Sequence, residues 1–147
     1  MRVDAKFDFA SDQEILRRLN VQTGGLVQKV IDEAVIRKCE PYVPFDEGVL
    51  TASASLATDI GSGLVVYNTP YAHYQYYGEI YGPNFQVEQG GEMVWRSPKG
   101  KMKKATGRKL SYHLEKHPLA GSHWFERMMA NHKDEILEEA KAAAGVK

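Results

Sequence analysis

Histidine and cysteine are the residue types most able to bind metals or attack substrates, and here neither occurs in a pattern typical of such a site. His113 and His117 have the four-residue spacing that places two ligands on one face of a helix. Pro118 disfavours the helical conformation at His117, so the two rings are not expected to share a face. The single Cys39 excludes an intramolecular disulfide, and it lies near the predicted end of a helix, where the dipole raises a thiol pKa. We therefore predict no nucleophile and no metal site.

The acidic residues that occur in pairs are adjacent in the sequence, at positions 32–33, 46–47 and 138–139. Neighbouring side chains diverge on a helix or a strand, whereas a general acid and a general base must face each other. We interpret these pairs as solvated surface. Gly61-Ser62-Gly63 precedes neither a Lys-Ser/Thr pair nor a predicted helix, so we interpret it as a turn rather than a phosphate loop. The sequence thus predicts a protein that is not an enzyme and has no cofactor.

Two long amphipathic helices are the clearest elements of the predicted fold. Apolar residues recur at spacings of three and four until Pro41 prevents continuation, which predicts a helix over about 26–39. The same spacing after Ser122, a suitable N-cap, predicts a second long helix over about 122–144. A capping-box pattern indicates a further short helix near 12–20. The predicted buried face of the last helix contains Trp124, Phe125, Met128 and Ile136.

The strand signals are shorter. Apolar and polar residues alternate from Leu50 to Ile60, which is typical of a half-buried strand, and a second β-prone run follows the glycine-rich turn. We therefore predict a β-hairpin that pairs residues 53–60 with residues 64–68. A strand at 93–95 is expected to pair with residues 110–114 across the intervening basic segment.

Six tyrosines lie within fifteen residues, in a stretch where Pro70 is suited to open a short helix and Gly78 to close it. One or two helical turns cannot bury six phenol rings against a core of this size, and tyrosine is favoured at protein interfaces. We predict that a neighbouring subunit or partner covers part of this aromatic area. The alternative is that the rings cover the predicted hairpin within the domain. The interface candidates are Tyr67, Tyr71, Tyr74, Tyr76, Tyr77 and Tyr81.

The charges are unevenly distributed although their sum is zero. The chain has 19 Lys and Arg against 19 Asp and Glu, but residues 1–95 hold 7 basic and 13 acidic groups, and residues 96–117 hold 8 and 1. Two glycines and a proline interrupt the basic stretch at 96–109, so we predict an exposed, mobile loop there. Its charge suits phosphate or an acidic protein surface, and a merely solvated loop is the third alternative. The candidates for contact with a partner or DNA are Arg96, Lys99, Lys101, Lys103, Lys104, Arg108 and Lys109.

The sequence contains no apolar run of 18 residues, and charges recur through its first thirty positions. We therefore expect neither a membrane span nor a signal peptide, and a soluble protein that folds in the cytosol, where its one thiol stays reduced. One domain is the expectation at 147 residues. The predicted fold class is α+β, with two long helices packed on a small antiparallel sheet. The domain spans residues 1–147 and carries a basic loop insertion at about 84–110.

Three stretches occur in a distinctive order and spacing. They are P-Y-V-P-F-D-E-G-V-L-T-A-S at 41–53, I-G-S-G-L-V-V-Y-N-T-P-Y-A-H-Y-Q-Y-Y-G-E-I-Y-G-P at 60–83 and H-P-L-A-G-S-H-W-F-E-R-M-M-A-N-H-K-D-E-I-L at 117–137. Together they resemble the minor capsid proteins of tailed bacteriophages, which in turn resemble the wider tail-completion group of neck proteins. Glu47 stands where that group usually has Thr, while Asp46 and Gly48 preserve its turn. Residues 84–110 depart from the shorter pattern of the wider group.

The resemblance implies an α+β fold and a structural role in the neck that joins the capsid to the tail. It implies a cyclic ring of copies of the chain, because heterologous contacts that close on themselves form rings. The implied partners are a portal-proximal adaptor or head-closure protein, a tail-terminator protein and double-stranded DNA in the bore. The expected location is the virion neck, after assembly in the bacterial host cytoplasm. The alternative function is a non-specific nucleic-acid-binding accessory protein that acts through residues 96–109.

Overall fold

Four helices and three two-stranded antiparallel sheets make up the part of the chain that the structure describes. The structure is a computed structural model, and it describes residues 1–4 and 23–145. The short helix predicted near 12–20 lies outside these residues. A 3-10 turn at Glu40–Tyr42 follows the first long helix. In chain order the elements are β1 (Arg2–Asp4), α1 (Leu26–Cys39), α2 (Val49–Ala57), β2 (Leu64–Val66), α3 (Ala72–Tyr77), β3 (Glu79–Gly82), β4 (Phe85–Gln89), β5 (Glu92–Arg96), β6 (Lys104–Lys109) and α4 (Trp124–Ala144).

The packing of α1 against α4 forms the centre of the core, and the predictions of both long helices and of the α+β class are confirmed. Both helices bury residues at the spacing of one helix face. At the solvent edge of the pair, Arg37 Nη2 donates to Glu139 Oε1 over 2.5 Å. Helix α4 begins at Trp124, and His123 rather than Ser122 occupies its N-cap position. The buried residues of the pair are Val27, Gln28, Ile31, Asp32, Ala34, Val35 and Cys39 on α1 and Trp124, Met128, Ile136 and Ala140 on α4.

The predicted hairpin of 53–60 with 64–68 is wrong. Residues 64–66 do form a strand, but β2 pairs antiparallel with β1, so that Val3 lies opposite Val65 and both are buried. Residues 49–57 form helix α2 instead of the first strand. The alternation there arises from small Ala and Ser side chains, and Ala and Leu favour a helix intrinsically.

Burial on α2 follows the helical period. Leu50, Ser53 and Ala54 are buried, whereas Leu56 is 86% exposed. The Ser53 hydroxyl is satisfied within the helix, because it donates to the Leu50 carbonyl oxygen over 2.7 Å. Gly48 precedes the helix with a φ of 84°, in the left-handed region that favours glycine. The local sequence pattern was therefore misleading, and the helical packing face determined the conformation.

The short helix α3 carries three of the six clustered tyrosines. It begins at Ala72 rather than at Pro70, which lies in the preceding turn, whereas its predicted closure by Gly78 is confirmed. Gly78 has a φ of 71° and donates its N–H to the Tyr74 carbonyl oxygen over 2.9 Å. A Cβ at this position would lie 3.0 Å from the Tyr112 hydroxyl, so the position is also closely packed. The chain therefore turns sharply at Gly78 and enters β3.

Strands β3 to β6 form an arm over residues 79–109. The arm consists of two successive two-stranded sheets, in which β3 pairs with β6 and β4 pairs with β5. The β4–β5 hairpin closes at Gly90 and Gly91, both at positive φ, and has no extensive contact with any other described element. Toward the domain, β3 pairs with β6, and the pairing register shifts between Glu79 and Tyr81. Gly107, with a φ of 77°, allows the irregular backbone at this shift.

Two predictions about this region need correction. The strand at 93–95 exists within β5, but its partner is β4, and residues 110–114 form no strand; the Leu110 N–H donates to the Gly78 carbonyl oxygen over 2.8 Å. The basic segment was predicted as a loop, yet its second half is β6. A two-stranded pairing requires only backbone hydrogen bonds, so the basic side chains of β6 all remain exposed.

Candidate interaction surfaces

Cys39 is a core residue and is unsuited to nucleophilic chemistry. Its side chain is buried at the end of α1, and burial raises the pKa of its thiol to about 12. The thiol is therefore protonated at neutral pH, whereas a nucleophile requires the thiolate.

His117, His132 and His73 each contact different neighbours. His117 Nδ1 lies 2.7 Å from the Val43 carbonyl oxygen, and its ring packs on Phe45. His132 is half-buried, with Nε2 3.3 Å from the Tyr42 hydroxyl. His73 is exposed, and its ring lies against the ring of Tyr77. Within residues 1–4 and 23–145, no group of three or more His, Cys, Asp or Glu side chains is arranged to hold a metal ion.

Asp32 was interpreted as solvated surface, and this is wrong: the residue is 0% exposed. Its Oδ2 accepts the backbone N–H groups of Gly61 over 2.7 Å and Gly63 over 3.1 Å. Its Oδ1 accepts Gln28 Nε2 over 2.8 Å. The glycine-rich segment is a turn, as predicted, and Asp32 anchors it to α1. Burial of a carboxylate is tolerated here because three donors surround it.

Two of the six candidate tyrosines belong to the core. Tyr67 and Tyr76 are both buried, and each packs edge-on against Trp124, with ring centroids 5.2 Å and 4.6 Å away. The Tyr76 hydroxyl donates to the Glu126 carboxylate. Burial, followed by this hydrogen bond, raises the pKa of the Tyr76 phenol. Neither ring is available to a partner, so part of the tyrosine cluster does serve the core.

Three of the other four candidate tyrosines form an aromatic patch with two histidines, defined as His73, Tyr74, Tyr77, Tyr81 and His123; Tyr74 and Tyr81 are half-buried and the other three are exposed. The remaining candidate, Tyr71, is exposed and lines a separate groove. His73 lies 4.7 Å from Tyr77 and Tyr74 lies 4.8 Å from Tyr81, measured between ring centroids. Tyr77 also contacts His123 edge-on at 5.6 Å and remains 50% exposed. Helix α3 supplies three of these residues, β3 supplies Tyr81, and His123 precedes α4. The patch therefore lies at the base of the arm.

The arm carries all seven basic residues that were predicted to face a partner or DNA. Arg96 ends β5, Lys99, Lys101 and Lys103 lie in the connection to β6, and Lys104, Arg108 and Lys109 lie in β6. All seven are exposed, and none forms an ion pair with a carboxylate among the described residues. The structure brings these charges onto one protruding element.

The arm also exposes large apolar side chains. Met102 lies in the segment that was predicted to be exposed, whereas Phe85, Met93 and Trp95 were not assigned to a surface by the sequence-based prediction. Cross-strand neighbours share a face, so Trp95 opposite Gln86 and Met93 opposite Glu88 lie on one face of the hairpin. Phe85 and Val87 lie on the other face. The apolar run at 93–95 predicted the strand, but a continuous apolar run does not indicate that both faces of the strand are exposed.

A groove at the start of α2 is a further surface that the sequence-based prediction missed. It encloses about 520 Å³ and combines apolar and acidic side chains. Asp46 and Glu47 are exposed, and neither is ion-paired to a described base. Lys116 Nζ lies 4.7 Å from the centre of the Phe45 ring. We call this the acidic groove; its main lining residues are Phe45, Asp46, Glu47, Val49, Tyr71 and Tyr112.

None of the helices in the described ranges combines the length and the hydropathy that a membrane span needs. A comparison with protein families finds that a model described as "Minor capsid protein" matches residues 3–144. This range includes the helices α1 to α4, the aromatic patch and the whole arm. No curated protein and no solved structure matches the chain.

Proposed function

Because the chain belongs to the minor capsid protein family, whose members are structural and non-enzymatic components of the bacteriophage virion, we propose that it is a ring subunit of the phage neck. In this role it joins the capsid, through the portal, to the tail. The family match confirms the resemblance to minor capsid proteins that the sequence indicated. The neck location is the step that we add.

The observation that supports the proposal is that the aromatic patch lies at the base of the arm, so that exposed aromatic, apolar and basic side chains occur on adjoining parts of the molecule. Tyr, Trp, Met and Arg are the residue types enriched at protein interfaces, and all four are exposed here. The hairpin part of the arm lies outside the packed body of the domain. A short hairpin of this kind is at best marginally stable alone, so contact with a neighbour would stabilise it.

In a ring, copies of the same chain can cover the aromatic patch and the arm of their neighbours. When a patch on one copy contacts a different patch on the next, the contact is heterologous, and it forms a ring if the rotation closes. The proposed partners are therefore other copies of the chain, a portal-proximal adaptor or head-closure protein and a tail-terminator protein. Packaged double-stranded DNA would pass through the bore, where contact with basic side chains requires charge alone.

The test removes part of the patch without disturbing the core. We expect the Tyr74→Ala/Tyr77→Ala variant to fold normally and to fail to add tails to filled heads, because both rings are at least partly exposed. The matched control is Leu56→Ala, which removes an exposed apolar side chain of α2 outside the patch. The measurement is the fraction of heads with tails in electron micrographs of complementation lysates. Normal tail joining by the folded double variant would contradict the proposal.

The alternative function, non-specific nucleic-acid binding through residues 96–109, is separated by a second measurement. Charge favours it, and Trp95 lies beside the basic segment. A stacking platform acts on unpaired bases, however, whereas the DNA expected in a neck is double-stranded. Binding of duplex DNA by the free subunit, with affinity falling steeply as salt increases, would support the alternative. Concentration-dependent rings without such binding would support the neck subunit.

A further inference from the structure

The connection between β5 and β6 presents one apolar side chain surrounded by positive charge. Met102 is 84% exposed, and Lys101 and Lys103 flank it. Methionine adapts its unbranched side chain to irregular cavities, which suits it to entry into a groove. The flanking ammonium groups would need acidic groups on either side of that groove. We call residues 101–103 the arm knob.

The acidic groove has the complementary chemistry. Phe45, Val49 and Tyr71 supply apolar surface, and Val49 and Tyr71 are substantially exposed. Asp46 and Glu47 supply two carboxylates. Lys116 contacts the Phe45 ring and reduces the local negative charge without removing its sign. An apolar knob between two cations therefore matches this groove in polarity and in charge.

The knob and the groove of one subunit are separated along the chain. Groove residues 111–113 follow directly after β6, whereas Lys104 precedes Lys109 by five residues in an extended strand. At about 3.3 Å per residue, this places Lys104 roughly 16 Å along the strand from Lys109. The knob lies farther still along the chain. No ion pair joins the described groove carboxylates to the arm of the same subunit.

We propose that the arm knob of one copy docks into the acidic groove of the next copy, with Met102 entering the groove and Lys101 and Lys103 facing Asp46 and Glu47. The proposal rests on the proposed ring and identifies one of its contacts. Two different surfaces of the same chain meet, so the contact is heterologous and propagates from subunit to subunit. Charge complementarity between the net-positive arm segment and the acidic groove selects a second copy as the occupant.

The first experiment is charge exchange between the knob and the groove in the full-length chain. Lys101→Glu/Lys103→Glu reverses the knob, and Asp46→Lys/Glu47→Lys reverses the groove. Each variant alone opposes like charges, so we expect each to lose assembly into rings. A chain that carries all four substitutions restores opposite charges at every contact, whatever the number of subunits, and should recover assembly. Failure of this folded four-substitution chain to assemble would overturn the proposal. A control variant, Lys133→Glu, reverses an exposed charge on α4 and should assemble normally.

The second experiment is disulfide cross-linking in purified particles. We expect a Met102→Cys/Val49→Cys chain to give, after oxidation, a ladder of covalently linked copies under non-reducing electrophoresis. Cys39 is buried and does not interfere. The control pairs Met102→Cys with Leu56→Cys and should give no ladder.

The two experiments distinguish this proposal from the proposed function. Intact necks with joined tails but no ladder from the Met102/Val49 pair would refute the knob contact and leave the neck role standing. Particles that join heads to tails without this protein would refute the neck role itself. If charge reversal of the knob abolishes salt-sensitive duplex DNA binding and no ladder forms, the arm contacts DNA and the proposal is wrong.

Discussion

The buried carboxylate of Asp32 provides the most direct test of how the fold is held together. It joins α1 to the glycine-rich turn through hydrogen bonds from Gly61, Gly63 and Gln28. We expect Asp32→Ala to destabilise the protein strongly, because it removes the acceptor for two buried backbone N–H groups at once. The exposed neighbour Glu33 provides a matched control, since Glu33→Ala removes a carboxylate from the same helix without leaving a buried donor.

The magnitude follows from the donors left without a partner. Each unsatisfied buried donor costs about 1–3 kcal/mol, so the two glycine N–H groups together cost about 2–6 kcal/mol. The Gln28 amide can rotate, and its loss adds less. Asp32→Asn should be milder, about 1–3 kcal/mol, because one amide oxygen can still accept both N–H groups while the Gln28 amide turns over. Glu33→Ala should change the free energy of unfolding by no more than about 0.5 kcal/mol.

Urea unfolding followed by tryptophan fluorescence measures these differences, because the buried Trp124 reports on the core. The expected order of the free energy of unfolding is wild type and Glu33→Ala, then Asp32→Asn, then Asp32→Ala. Equal stabilities of Asp32→Ala and the wild type would refute the reasoning. Equal losses for Asn and Ala would show that charge, rather than satisfaction of the donors, decides the effect.

Three further predictions concern the core and the helix pair. Met128→Ala, which truncates a fully buried side chain of α4, should lower the free energy of unfolding by about 2–5 kcal/mol in the same urea assay. The thiol of Cys39, with its pKa raised to about 12, should resist thiol reagents at neutral pH until urea unfolds the chain; rapid labelling of the native protein would contradict this. Hydrogen bonds from Lys38 and His132 lower the pKa of Glu135 in the folded protein below its ordinary value of 4.5. The ionised Glu135 should therefore stabilise the fold at pH values above 4.5, and this stabilisation should be lost as the pH falls through the lower pKa of the folded state. Glu135→Gln should make stability less dependent on pH in the acid range, measured by urea unfolding at a series of pH values.

The sequence alone determined the two long helices and several of their boundaries. Their apolar residues recur over nearly four turns in α1 and nearly six in α4, and such a long pattern defines a helix and its buried face with little need for tertiary information. Of the four residues predicted to be buried, Trp124, Met128 and Ile136 are buried, and Phe125 is only partly buried against the core. The end of α3 could also be predicted from the local sequence, because Gly78 supplies the left-handed conformation that closes a helix.

Tertiary structure decided the short elements, since a short pattern is compatible with more than one conformation. Residues 49–57 alternate like a strand but pack as α2, and β2 finds its partner at Arg2–Asp4 rather than in the neighbouring sequence. The basic segment 104–109 is a strand because β3 offers it a backbone partner. The local sequence does not indicate any of these conformations, because each depends on contacts between distant parts of the chain.

For the candidate interaction surfaces, too, the sequence indicated one part and the tertiary structure decided the other. Residue type indicated that tyrosines and basic side chains would matter, but only packing separates buried Tyr67 and Tyr76 from exposed Tyr77. Adjacent acids looked alike in the sequence, yet Asp32 is enclosed by three donors while the 46–47 pair lines a groove. Burial depends on which distant segments cover a side chain, so residue type sets the chemistry that is available and tertiary structure decides where it acts.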